Sequence, residues 1–221
     1  RHSLIVLTAC LLAGTASAAF ADDLETVVVS ATRTEQPKTK TGESVSVLDS
    51  AALQNLQTVH LTDALALTPG VVVNQSGGLG QPTSISIRGA ETGQALVLVD
   101  GVRINDPSGT DGGAILSDLL ANNTQRVEVL RGPESTLYGS DASGGVMDVI
   151  SKRGGSDPFA LAASAESGSF DTYHLNAAAN GTAGTVDYGA AANYIHTNGI
   201  SAADKRNGNP ETDGYGNFGA T

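Results

Sequence analysis

The chain reads as a small mixed α+β domain followed by the opening antiparallel strands of a transmembrane β-barrel. Three observations lead there. Short β-prone runs and short helical stretches alternate with Gly-rich loops through the first two thirds, and 27 of the 221 residues are Gly. The aromatic residues are then redistributed: of four Phe and five Tyr, seven lie at or beyond Phe159, while residues 22–153 hold only Tyr138. From Phe159 onward, apolar and polar residues alternate with period two in segments of about ten residues, the pattern of strands with one face against lipid.

Residues 1–21 are expected to be a secretory signal peptide. A basic start precedes the short apolar run of residues 4–12, and Ala19-Phe20-Ala21 fits a cleavage site before Asp22. Leu7-Thr8-Ala9-Cys10 also has the form of a lipoprotein box, but the apolar run continues through Leu11-Leu12, where a mature lipoprotein turns polar. The chain starts at Arg1 and stops at Thr221 inside a patterned stretch, so both ends are expected to be truncated.

Composition excludes several classes. A net charge of −11 without a basic cluster is unsuited to nucleic acid. One Cys allows no internal disulfide and no Cys-cluster zinc site. His2, His60, His174 and His196 show no metal-ligand spacing, and neither a nucleophile elbow nor a phosphate loop is present. Enzyme chemistry is therefore not expected.

Along the first half, Val45-Ser46-Val47-Leu48 predicts a strand, and Asp49 or Ser50 can cap a short helix through Leu56. Leu61 and Leu65 frame a second short helix that Pro69 ends. Val71-Val72-Val73 and Ser84-Ile85-Ser86-Ile87 read as strands. Leu96-Val97-Leu98-Val99 and Val102-Arg103-Ile104 flank Asp100-Gly101, a dipeptide that tolerates positive φ and favours a tight hairpin. Val127-Glu128-Val129-Leu130 and residues 146–150 complete a set of about five strands. In the second half Phe159, Leu161, Ala163 and Ala165 share a face, as do Tyr173, Leu175, Ala177 and Ala179. A turn is expected at Asn180-Gly181, and Val186, Tyr188, Ala190, Ala192 and Tyr194 form the apolar face beyond it. The alternation alone also suits an exported β-sandwich. Three strands and the start of a fourth leave an unpaired edge and cannot close a barrel, so the chain is expected to be a fragment.

Four ordered blocks now carry a resemblance. They are Ile87-Arg88-Gly89, residues 96–103, Arg126-Val127-Glu128-Val129-Leu130-Arg131-Gly132-Pro133, and residues 137–146 followed by Val149-Ile150. In this order they resemble the plug domain of TonB-dependent outer-membrane receptors. Residues 24–33, the Gly77-Gly78-Leu79-Gly80-Gln81 loop and Tyr138-Gly139-Ser140-Asp141-Ala142 are most similar to the cobalamin receptors, the BtuB type. The resemblance implies a TonB box and linker over 22–43, a plug over 44–153 and the first barrel strands over 154–221. It also implies uptake of a scarce, large substrate across the outer membrane of a Gram-negative bacterium. Cobalamin is the first expectation and a ferric siderophore the alternative, with a non-transporting surface or adhesion protein as a different class.

The same resemblance assigns residues to roles. Leu24, Glu25, Thr26, Val27, Val28, Val29, Ser30 and Ala31 are β-prone and would add as a strand to the TonB C-terminal domain in the periplasm. The linker end, Thr41-Gly42-Glu43, is expected to serve only as linker. Arg88, Glu128 and Arg131 are charges set among strand residues, and buried charges must pair. They are expected to latch the plug to barrel carboxylates beyond Thr221, or else to pair within the plug. Pro82, Ser84, Glu91, Gly109 and Thr110 fall at the expected substrate contacts, on loops rich in Gly and short polar residues. No cofactor is expected. Glu211 and Asp213 are the two oxygen donors that a Ca2+ site in the 207–214 loop would use.

Overall fold

The structure, a computed structural model, describes residues 27–28, 34, 36–152, 158–199 and 214–220. The expected signal peptide, most of the TonB box, the 153–155 boundary and the Glu211/Asp213 loop lie outside the described residues.

Two short strands, β1 (Val27–Val28) and β2 (Gln36–Pro37), pair antiparallel ahead of β3 (Val45–Asp49). Asp49 caps α1 (Ser50–Leu56), its Oδ1 accepting from the Ala52 amide at 2.7 Å. Replacing Asp49 by alanine is expected to cost about 1 kcal/mol, readable as a lower urea midpoint. In α2 (Leu61–Ala66), Leu61 and Leu65 stand one turn apart and both are fully buried. The helix ends before Pro69, and Gly70 takes a positive φ of 77° to turn into β4 (Val71–Gln75), which pairs with β5 (Thr83–Ile87). After β6 (Ala95–Val99), Asp100 and Gly101 both have positive φ, 50° and 79°, making the tight turn to β7 (Val102–Arg103) that the dipeptide predicts. The domain is completed by β8 (Thr124–Arg131), the one-turn α3 (Ser135–Tyr138) and β9 (Gly145–Ser151).

The central sheet has five strands in the order β3-β8-β9-β6-β7, with β6 and β9 parallel and the other pairs antiparallel. The β4–β5 pair stands apart as its own two-stranded sheet, a separation that strand propensity does not reveal. One face of the central sheet carries Val97, Val127, Val129 and Met147 against Leu61, Leu65, Ile87 and Leu116, the main core. The other face packs Val45, Leu96, Leu130 and Val146 around Val28 of β1.

Beyond the plug, β10 (Ala160–Gly168), β11 (Thr172–Ala183), β12 (Val186–Thr197) and β13 (Tyr215–Ala220) form a four-stranded antiparallel meander. Cross-strand partners share a face. Leu175, Tyr194 and Phe218 line up in one row, and these, with Leu161, Tyr173 and Tyr188, are exposed. On the opposite face Glu166, His174, Ile195 and Asn217 form the adjacent row, in which His174 and Ile195 are buried. The alternation thus separates an apolar outer face from a more polar one turned to the plug. The turn expected at Asn180-Gly181 is not there: both residues stay in β11, paired with Gly189 and Tyr188, and the chain turns at Gly184, φ 67°. Gly181 serves close approach instead, since a Cβ there would collide with the Pro158 carbonyl and the Tyr188 ring.

Candidate functional site: plug loops, arginine pair and wall contacts

Of the expected TonB-contact residues, only Val27 and Val28 lie within the described set. Both are already strand, Val27 paired with Pro37 and Val28 with Gln36, and Val28 is 0% exposed within the second core. In this arrangement the strand is held by the plug, so capture by another sheet edge requires β1 to leave β2.

The three expected latch residues divide. Arg88 sits in the turn after β5 with a positive φ of 52°, and its amide donates to the Gly70 carbonyl at 2.8 Å. Arg131 ends β8; its amide donates to Ser44 O at 3.1 Å and its Nη1 to Pro69 O at 2.7 Å. Gly70 lies beneath both, for a Cβ there would meet Arg131 Cδ at 3.3 Å and Arg88 Cγ at 3.8 Å. Glu43 joins this group. A Cβ at Gly132 would lie 4.0 Å from both Arg88 Nη1 and Glu43 Oε2, and Glu43 shares a hydrogen bond with the buried Glu134. Burial first, then the Glu43 charge, pushes the Glu134 carboxyl up from its ordinary value. The linker end therefore packs beside Gly132 and Glu134, and the next residue, Ser44, accepts from the Arg131 amide, contacts beyond the linker role expected of it.

Glu128 is not part of that group. It is three residues from Arg131 along β8, and an odd separation places it on the opposite face. There it is 0% exposed and accepts from Arg126 Nε at 2.8 Å, the neighbour two residues away on the same face. Asp148 is its cross-strand partner, 8% exposed, with Oδ1 lacking a hydrogen-bond partner among the described residues. Burial, then the Glu128 charge, pushes the Asp148 carboxyl up, against the Gly101 amide and Arg126. A carboxyl raised on folding stabilises fully below its unfolded value, and that contribution fades as pH rises through the raised one. Asp148→Asn is expected to remove this loss, so that the urea midpoint of the plug falls less between acidic and neutral pH than in the parent.

The expected substrate contacts lie on loops that two side chains organise. Asn105, 7% exposed, accepts from Val97 N at 2.8 Å and donates to Ala95 O and Gly112 O, closing the base of the 105–113 loop. Thr92 Oγ1 donates to Asp111 Oδ2 at 2.8 Å, which ties the loop with Gly109 and Thr110 to the short turn headed by Glu91. Pro82 precedes β5 and is exposed, and Ser84 is half-buried within the strand. The Leu116 amide donates to Thr83 O at 2.8 Å, linking this stretch to the segment after the 105–113 loop. Asn105, Thr92 and Asp111 escaped the sequence reading; Asn105-Asp106-Pro107-Ser108 is a turn signal, but nothing local shows which backbone groups Asn105 reaches.

Residues 37–146 match the model of the TonB-dependent Receptor Plug Domain family. Residues 37–146 thus form a TonB-dependent receptor plug domain, which is not an enzyme, and antiparallel strands follow it. Among solved structures the chain resembles the ferripyoverdine receptor of Pseudomonas aeruginosa at 21% identity and a TM-score of 0.68, covering 80% of this chain and 23% of that one. The siderophore receptor PiuA of Acinetobacter baumannii aligns at 22% identity and a TM-score of 0.61, over 76% of this chain and 23% of that one. Its siderophore receptor PirA aligns at 27% identity and a TM-score of 0.54, over 74% and 26%. The chain spans about a quarter of the length of these receptors. Each is named for a siderophore, and the likeness to cobalamin receptors drawn from residues 77–81 and 138–142 gains no support from them.

Proposed function

We propose that this chain is the plug and first wall strands of an outer-membrane receptor that imports a ferric siderophore, energised by TonB. The observation that carries the reading is the joint match of plug and wall strands to siderophore receptors, with PirA at 27% identity. This replaces cobalamin, the substrate first expected from the motifs. In this reading the substrate meets Pro82, Ser84, Glu91, Gly109 and Thr110 on the loops that Asn105 and Thr92 hold in place. TonB takes residues 24–31 after β1 is freed from β2, and the linker delivers the pull to Glu43 and Ser44, beside Arg88 and Arg131. The arginine pair latches the plug to carboxylates of the wall.

Uptake of radiolabelled ferric siderophore and of cobalamin by cells carrying the receptor tests the reading. Iron uptake is expected in the parent, falling to background when residues 24–31 are deleted. Undiminished uptake after the deletion would overturn the TonB-driven mechanism, and cobalamin uptake without iron uptake would restore the first substrate.

A further inference from the structure

The plug meets β13 and the β10–β11 pair differently, and a cavity of about 340 Å3 lined by Asp118, Asn217 and Phe218 lies beside the β13 contact. At β13, Asp118 Oδ1 accepts from Tyr215 OH at 2.8 Å and from Asn217 Nδ2 at 3.1 Å, two side chains on the same face of the strand. The Tyr215 ring also packs against Gly80, where any Cβ would collide with it, and Gly80 has a positive φ of 79°. The ring centroid of His60 is 6.0 Å from that of Tyr215, and His60 Nδ1 lies 3.1 Å from the Ser117 carbonyl, next to Asp118. Ring packing, hydrogen bonds and close backbone approach therefore converge on one spot.

At β10 and β11 the plug stands off. A cavity of about 710 Å3 separates these strands from α1 and the 121–124 segment. Thr58, Asn122 and His174 are among the residues around it, and Thr58 Oγ1, both Asn122 amide atoms and both His174 ring nitrogens are buried away from it without a hydrogen-bond partner among the described residues. Glu166 Oε2 lies 3.8 Å from His174 Nδ1, beyond hydrogen-bonding distance. Buried groups left in this state gain when the two surfaces part and water reaches them, whereas the Asp118 contact loses by parting.

We infer that the plug is anchored to the wall at Asp118 and moves by parting from β10 and β11, so that the Asp118 contact survives each transport cycle. The statement about transport rests on the proposed function; the anchor itself does not.

Two measurements on the receptor in its membrane test it. In an Asp118→Cys/Asn217→Cys variant, a disulfide is expected to form on oxidation and iron uptake to continue unchanged. Loss of uptake on oxidation, restored by reductant, overturns the anchor as a fixed point, and failure of the disulfide to form overturns the contact. Independently of any substrate, hydrogen exchange of residues 116–120 is expected to quicken about tenfold in Tyr215→Phe. Asp118→Ala should give a similar rise, the double variant no more than Asp118→Ala alone, and residues 50–58 no change. Unchanged exchange at 116–120, or additive effects, overturns the anchor. A parent that imports no siderophore while the exchange result holds sinks the proposed function alone.

Discussion

Replacing Arg126 by alanine is expected to destabilise the plug by about 3–5 kcal/mol, enough to remove much of the stability of a domain this size. Arg126 is the cation beside two carboxyls, Glu128 at 0% exposure and Asp148 at 8%. Without it, both acids face each other in a low-dielectric layer between β8 and β9. Glu128→Gln should cost less, because Asp148 then becomes the partner of Arg126, already close enough to be lowered by its charge. Arg126→Lys should fall between. Urea midpoints of the three variants at neutral pH check the ranking, and equal losses for Arg126→Ala and Glu128→Gln would refute it.

The second large effect is expected at Gly145. Its φ of 152° lies in the region that side chains rarely adopt. A Cβ there would sit 2.5 Å from the Leu130 carbonyl and 3.1 Å from two carbons of the fully buried Ile87. Overpacking of a filled core costs about 1–3 kcal/mol, and backbone strain of this kind about 1–3 kcal/mol more. Gly145→Val should therefore leave little folded plug, seen as protease sensitivity of residues 36–152 in isolated membranes. Gly101→Ala, which meets nothing within 4 Å, is the control: it bears the strain of its φ of 79° without the collision.

Local patterns carried much of the architecture. Asp100-Gly101 announced its hairpin because two successive positive φ values suit few other dipeptides. Asp49 and Pro69 marked a helix start and a helix end through backbone chemistry that acts within four residues. The apolar face of the last four strands was legible because alternation is a property of each strand alone. The candidate site residues have a different origin. Leu24 to Ala31 and the loop residues Pro82, Ser84, Glu91, Gly109 and Thr110 came from likeness, not from spacing, and their roles are proposals.

What failed to show in the chain depended on distance. Gly181 looked like a turn because a glycine that bends a chain and one that admits a tyrosine hydroxyl are the same letter. Arg88, Glu128 and Arg131 looked like one group, yet strand parity sent Glu128 to the far side, and Arg88 reached Arg131 only through Gly70. Glu43 gained a partner in Glu134, 91 residues further along the chain. The sequence by itself determined the class of the domain, its strands and helices, and the apolar face of the wall, since period and turn chemistry act between near neighbours. Only the tertiary structure decided which charges meet, that β1 is held by the plug, and that Asp118 reaches Tyr215, because side chains far apart in the chain pair according to the packing of the whole.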